Sequence, residues 1–357
     1  MSFFIQYTFG LSRNYSAFFD TFNFFIACSL FTNIHLSDKG DKWKFKLAFC
    51  IIGCAIISAA VNIKTSGIGS IMTIGRVVLF YLLIHKTYID NRIKFLVILL
   101  SVIQVILLQV VDVSSYNPNT IGLVYLTIGI FFALCAEPKN LLSKIIYFTI
   151  LCIVGYLLYL TESRASLMAY IFFCSMLLLP PVIYGRRNNL IAIMIMLTVG
   201  SLLYAILYVY LWRESAVDAD IISAMVDNTG KQLFSGRQNI WQECIELWKH
   251  NVLWGVGSNI QLYSFDVVNL HNSMLNIFVI YGSIVGALMI YYMCGIVNEF
   301  RAYAYNKKIH DCLSAYFAFL LVAFNETNLF VFAFISLFPL MMAHTTIVRD
   351  SVLPVNS

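Results

Sequence analysis

Three short polar clusters interrupt this mostly apolar chain, and their residue types suit phosphate binding and proton transfer. The clusters read TESR at 161–164, SGRQNIW at 235–241 and HNS at 271–273. A guanidinium is permanently cationic and matches phosphate oxygens in pairs, so Arg164 and Arg237 are candidate catalytic residues that bind a diphosphate. An imidazole accepts a proton near neutral pH, which makes His271 the candidate general base. Such a set could transfer a sugar from a lipid diphosphate to a sugar hydroxyl.

Each member of this set also has a structural interpretation, and the sequence leaves both open. An arginine at a membrane boundary commonly anchors to lipid headgroups, and a histidine at a helix start can serve as a cap or as an interface residue. Asn272 and Trp241, which lie beside His271 and close to Arg237 in the sequence, are further candidate substrate-binding residues.

Two charged residues outside the clusters are also candidate substrate-binding residues. Arg76 lies in the middle of an apolar run, where a charge is costly and therefore suggests a function. It could instead form an ion pair with Asp112 or Glu326. Glu326 belongs to a polar turn, residues 325–328, which could accept hydrogen bonds from an arginine or from an acceptor sugar, or could be a simple turn.

Other short patterns predict neither a metal nor a cofactor. Asp218-Ala219-Asp220 has the spacing of some metal-dependent sugar transferases, but three-residue patterns are common by chance. Gly255 and Gly257 lack the third glycine and the strand of a dinucleotide site, so they predict a turn. Gly282 and Gly286 have the spacing that is typical of close helix packing.

Composition places the chain in a membrane. Hydrophobic residues make up 60% of the sequence, charged residues only 11%, and the mean hydropathy is +0.81. A helix needs about 20 apolar residues to cross a bilayer, and it satisfies its own backbone groups there. The net charge of +5 is scattered between apolar runs, so it does not predict nucleic-acid binding.

Apolar runs predict an all-α, polytopic helical membrane protein with about 11–12 transmembrane helices. We place the runs at 16–34, 45–62, 67–85, 95–111, 119–136, 145–161, 165–184, 189–212, 273–297, 311–325 and 328–347. A helix from Gly236 to Asn251 should lie along the membrane surface, because Trp241, Cys244, Ile245, Trp248 and Val252 share one face.

The chain divides into three parts around this helix. Residues 1–212 form an N-terminal transmembrane bundle, 213–272 one large loop, and 273–357 the C-terminal transmembrane helices, within one membrane domain. Lysine and arginine collect on the side opposite the large loop, which places that loop outside the cytoplasm. The topology of residues 1–40 is left open.

The clusters resemble those of the O-antigen polymerase and O-antigen ligase superfamily of bacterial envelope enzymes. The resemblance covers roughly residues 145–295. Its elements are Thr-x-Ser-Arg-Ala-Ser from Thr161, Ser-Gly-Arg-x-x-x-Trp from Ser235, Leu-Trp-Gly-x-Gly from Leu253, and His271-Asn272 followed by nine residues and Gly282.

This resemblance implies a multi-pass protein of the bacterial inner membrane with its active site facing the periplasm. Its donor would be an undecaprenyl-diphosphate-linked oligosaccharide or polysaccharide, and its acceptor a glycan. Arg164 and Arg237 would engage the diphosphate and His271 would activate the acceptor hydroxyl, without a metal. Membrane lipids and a chain-length regulator protein are the implied partners.

The sequence leaves several functions in competition. The Ser-Gly-Arg-x-x-x-Trp form favours an O-antigen polymerase, whereas the His-Asn-x9-Gly pattern is prominent in ligases, which attach the polymer to lipid A–core. A polysaccharide or lipid transporter or flippase would explain the helices and Arg76, but it predicts paired broken helices and an internal repeat. A scaffold or sensor would explain the helices without the three polar clusters.

Overall fold

A computed structural model describes residues 42–110, 117–185, 189–214, 237–259, 262, 270–331 and 333–352. Within these residues the regular secondary structure is entirely helical. The helices are α1 (Lys42–Val61), α2 (Ile68–Leu83), α3 (Asn91–Val110), α4 (Pro118–Cys135), α5 (Leu141–Leu160), α6 (Arg164–Leu178), α7 (Val182–Gly185), α8 (Asn189–Glu214), α9 (Arg237–His250), α10 (Ser273–Glu299), α11 (Lys307–Val322), α12 (Asn328–Val331) and α13 (Ala333–Val352).

The helices confirm the prediction of an all-α, polytopic membrane protein. Seven helices in the described part of the chain are long and apolar enough to cross a bilayer: α1, α2, α3, α4, α5, α8 and α10. The shorter α6 and α11, and the more polar α13, occupy three further predicted spans. The predicted run at 16–34 lies outside the described residues.

Burial separates core helices from helices that face the surroundings. Helix α4 is buried along most of its length, whereas α3 and α5 expose most of theirs. The exposed side chains are large and apolar, such as Phe95 and Ile146. An apolar face of this kind is stable against lipid tails, which explains why these helices need no protein cover.

Contacts at the helix ends show which turns share an end of the bundle. Helices α6 and α11 pack against each other, and the Lys307 ammonium donates to the Leu177 carbonyl at 2.7 Å. The two helices are therefore antiparallel, so the beginning of α6 lies near the end of α11. We call this end, with residues 161–164, 270–273 and 323–327, the site end.

Helix α9 confirms the helix predicted from Gly236 to Asn251. It packs against α8 and α10 and buries the predicted face, with Trp241, Cys244 and Ile245 inside. Burial raises the pKa of the Cys244 thiol to about 12, so this cysteine is a packing residue. Val252, predicted on the same face, lies beyond the end of the helix and is exposed.

Candidate active site

A carboxylate at the site end is shared by two of the predicted catalytic residues. Arg237 donates from Nη2 to Glu326 Oε1 at 3.2 Å, and from Nη1 to Asn325 Oδ1 at 2.9 Å. His271 Nδ1 lies 3.4 Å from Glu326 Oε2. The structure thus brings together Arg237, His271 and Glu326. The turn at 325–328 was predicted to accept hydrogen bonds from an arginine or a sugar, or to be a simple turn, and the structure shows the contact with an arginine.

The backbone around His271 is fixed by the two residues that follow it. Asn272 caps α10 by accepting from the Leu275 amide at 2.8 Å, and its Nδ2 donates to the Phe324 carbonyl at 3.0 Å. Ser273 Oγ donates to the Glu326 carbonyl at 2.8 Å. The start of α10 is therefore tied to the turn that carries Glu326.

His271 itself adopts a left-handed backbone conformation, with φ of +45°. Such a conformation costs a non-glycine residue on the order of 1–2 kcal/mol and persists only where the surroundings enforce it. Here the hydrogen bonds of Asn272 and Ser273 enforce it. The strain sets the direction in which the imidazole leaves the chain, towards Glu326.

Trp241 joins α9 to the residues that precede α10. Its side chain is only 1% exposed, and its indole nitrogen donates to the carbonyl of Leu270, the residue before His271. The rings of Tyr204 and Tyr208 pack against it, with centroids at 5.8 and 5.2 Å. In this structure Trp241 and the buried Asn272 position their neighbours; their contact with substrate stays a prediction.

Arg164 occupies the same end of the bundle, at the first position of α6. Glu162 precedes it with φ of +58° and makes the reversal from α5 into α6 sharp. Ser163 and Ser166 are buried against Gly122, where a Cβ would overlap the Ser163 side chain. This packing leaves Arg164 exposed at a helix N-terminus, which favours anions.

Arg76 lies in α2, a helix that also contacts α12, which begins two residues after Glu326. It is 5% exposed, and its helix is joined to α10 by the Tyr281 hydroxyl, which donates to the Ser70 carbonyl at 2.7 Å. Of its two predicted ion-pair partners, Asp112 lies outside the described residues, and Glu326 contacts Arg237 and His271. A role for Arg76 in substrate binding stays a prediction.

The glycine motifs meet at a break in α10 that the sequence did not reveal. Gly282 has φ of +86° and ψ of 171° inside α10, so the helix breaks there. The close packing predicted from the spacing of Gly282 and Gly286 is present at Gly282, but its neighbour is the backbone of residues 253–255. The amides of Val256 and Gly257 donate to the carbonyls of Val279 and Ile280, at 2.9 and 3.1 Å. The predicted turn at Gly255 and Gly257 therefore exists, and it completes the broken helix.

Both sides of this contact require glycine. A Cβ on Gly255 would lie 2.5 Å from the Ile280 carbonyl oxygen, and a Cβ on Gly282 would overlap the Leu253 carbonyl. Each of the two also has a positive φ, which disfavours any other residue. The Trp-Gly-x-Gly and His-Asn-x9-Gly motifs are thus two halves of one structure, which fixes α9 relative to α10.

Among the described residues, no group of three His, Cys, Asp or Glu side chains is arranged to hold a metal ion. The Asp218-Ala219-Asp220 sequence lies outside those residues, as do Ser235 and Gly236 of the second cluster.

Seven helices long and apolar enough to cross a bilayer define a multi-pass membrane protein, and Arg237, Glu326 and His271 form its candidate site. Residues 148–290 match a family model described as O-Antigen ligase. This range includes all three polar clusters and the α10 break, and it confirms the resemblance to the O-antigen polymerase and ligase superfamily. No curated protein and no solved structure matches the chain. The match supports an enzymatic function of the polymerase or ligase type without separating the two.

Proposed function

We propose that this protein is a glycosyltransferase that takes a glycan from undecaprenyl diphosphate at the periplasmic face of the inner membrane. It transfers the glycan to a sugar hydroxyl of an acceptor, as an O-antigen polymerase or a polymerase of a related surface polysaccharide. The observation that carries this proposal is the contact of one carboxylate, Glu326, with both a fork-shaped cation and an imidazole.

The residues divide the chemistry between a leaving group and a nucleophile. The bond between the anomeric carbon of the donor and its phosphate oxygen breaks, and the acceptor hydroxyl oxygen forms the new bond. Arg237 and Arg164 balance the charge of the departing diphosphate. With Nδ1 of His271 directed to Glu326, the proton of the hydroxyl passes to Nε2. The step needs no oxidant, and we propose that it needs no metal.

An O-antigen ligase is the second candidate. The description of the matching family favours it, and the His-Asn-x9-Gly pattern is prominent in ligases. Both candidates use the same donor and the same residues and differ in the acceptor, which is another lipid-linked repeat unit for a polymerase and lipid A–core for a ligase.

The broken helix does not favour a transporter. Transporters use freed carbonyls at helix breaks to coordinate substrates and ions. In α10 the freed carbonyls of Val279 and Ile280 accept hydrogen bonds from Val256 and Gly257 instead. The break therefore serves the internal structure of the protein.

Surface glycan from cells that lack the gene tests the proposal. A polymerase predicts lipopolysaccharide capped with a single repeat unit. A ligase predicts unmodified core together with accumulated lipid-linked polymer, and unaltered surface glycan would contradict both. Purified protein should transfer glycan in EDTA at an undiminished rate; loss that Mg²⁺ or Mn²⁺ restores would assign a role to Asp218 and Asp220.

A further inference from the structure

We propose that Glu326 is a positioning residue that couples donor binding to activation of the acceptor. Without donor it is shared between Arg237 and His271; when a polyprenyl diphosphate takes Arg237, Glu326 acts on His271 alone. This inference rests on the proposed function, because it assigns Arg237 to the donor and His271 to the acceptor.

Arg237 is occupied by groups that an anion can replace. Its two terminal nitrogens contact Asn325 Oδ1 and Glu326 Oε1. The Arg237 and Glu326 side chains are 15% and 17% exposed, so a ligand can approach the pair from outside. A diphosphate offers the guanidinium two oxygens and more negative charge than one carboxylate.

Glu326 remains with His271 when Arg237 turns to the donor. The Glu326 carbonyl accepts from Ser273 Oγ at 2.8 Å, and Ser273 is two residues from His271. Arg237 belongs to α9, a separate helix, and it reaches the Asn325–Glu326 turn with its side chain. Release of the arginine side chain therefore leaves the Glu326–His271 contact in place.

The charge of Arg237 controls how strongly Glu326 acts on His271. A carboxylate that is paired with an arginine acts less strongly on a neighbouring imidazole, because the arginine offsets its field. Once the diphosphate holds Arg237, the whole charge of Glu326 stabilises the imidazolium that forms as His271 takes the proton. A buried carboxylate that orients and stabilises a catalytic imidazole is a known arrangement in hydrolases. Acceptor activation then becomes effective only where a donor is bound.

The test compares Glu326→Gln with the wild-type protein in lipid nanodiscs, with a polyprenyl diphosphate that carries no sugar as the binding probe. Removing the competing carboxylate should tighten diphosphate binding about two- to fivefold, the range for a partly exposed ion pair. Turnover at saturating donor should fall on the order of tenfold or more, because the imidazolium loses its partner. Glu326→Asp should recover part of the turnover.

Glu246→Gln is the matched control, because it makes the same substitution in an exposed ion pair with Lys249 on α9; its diphosphate binding and turnover should stay within about threefold of wild type. Unchanged or weaker diphosphate binding by Glu326→Gln would overturn the inference, and so would a rise in the acceptor KM with unchanged kcat. The proposed function fails separately, if Arg237→Ala and His271→Ala retain transfer.

Discussion

Two glutamates at opposite ends of the bundle each hold one cation and one histidine, yet their surroundings differ. Glu299, at the end of α10, lies 2.7 Å from Lys44 Nζ and 2.9 Å from His85 Nε2. Glu326 lies 3.2 Å from Arg237 and 3.4 Å from His271. The exposed fractions of the Glu299 group and the Glu326 group overlap, so burial does not distinguish the two. They differ in the lengths of their contacts and in the elements that carry the residues.

The two groups lie on different kinds of structural element. Lys44, His85 and Glu299 come from α1, from the turn that ends α2 and from α10, so their contacts join three packed helices. The His85 ring also stacks on Phe300, with centroids 5.8 Å apart. Glu326 and His271 lie in turns, and His271 has a strained backbone. The contacts of Glu299 therefore join packed helices, which suits a structural ion pair, whereas those of Glu326 lie at a turn with a strained backbone, which suits the exchange of partners that we propose.

Replacing each histidine is the strongest way to test this comparison. His271→Ala should lower transfer about 10²–10⁴-fold, the usual contribution of a general base, and leave membrane insertion intact. His85→Ala should keep transfer per folded molecule within about threefold and reduce thermal stability instead. Transfer by both variants is measured in vitro on equal amounts of folded protein. Near-wild-type transfer by His271→Ala would remove its role as base.

The arginine should show the next largest effect. Arg237→Lys keeps the charge but loses the paired donors that match two phosphate oxygens, so transfer should fall on the order of 100-fold. Donor KM and kcat measured separately show whether binding or the transition state is affected. The variant should unfold at the wild-type temperature. If lysine supports full activity at position 237, the arginine serves only as a charge.

At the opposite end, Lys44→Met should act on stability. The methionine keeps the apolar stem but leaves Glu299 without its nearest cation, which should cost about 1–3 kcal/mol. Thermal unfolding of the protein in detergent measures the change, with transfer per folded molecule unaltered. A loss of transfer that exceeds the loss of folded protein would mean that this end also takes part in the reaction.

The smallest effect is expected at Glu137, which contacts Lys94 and Lys308 at 3.1 and 3.0 Å. Burial opposes ionisation, but these two lysines outweigh it and lower the pKa of Glu137 from 4.5 to about 2. The stabilisation is therefore complete above pH 4.5 and is lost as the pH falls towards 2. Because the group is well exposed, Glu137→Gln should cost only about 0.2–1 kcal/mol at pH 7. Unfolding measured at pH 7 and pH 3 checks this prediction. The difference in the free energy of unfolding between Glu137→Gln and the wild-type protein should be smaller at pH 3.

Sequence reasoning predicted elements that depend on local pattern. The apolar runs predicted ten helical regions that the structure describes, and the shared face of Trp241, Cys244 and Ile245 predicted α9. It also selected the residues of the His271 and Arg237 cluster, because their chemistry is evident from residue type. Each of these features depends only on residues that lie within one or two helix turns of one another in the sequence.

What the sequence could not provide are contacts between distant segments. Glu326 lies 89 residues from Arg237, and no periodicity brings the two together; the polar turn at 325–328 was the only signal. Glu299 showed no pattern at all. The break at Gly282 was read as a packing motif, because a glycine in an apolar run looks the same whether the helix continues or stops. The helix break becomes evident only from the Val256 and Gly257 amides, which come from another segment of the chain and donate to the carbonyls of α10.

That shared structure has a consequence for how the protein is made. Residues 252–257 leave the ribosome before Gly282, yet α10 is complete only when their amides reach Val279 and Ile280. Insertion of α10 into the bilayer with its carbonyls unsatisfied would be costly. Residues 252–257 must therefore pack against α10 before that helix is complete, so the order of synthesis favours the alignment of the two glycine motifs.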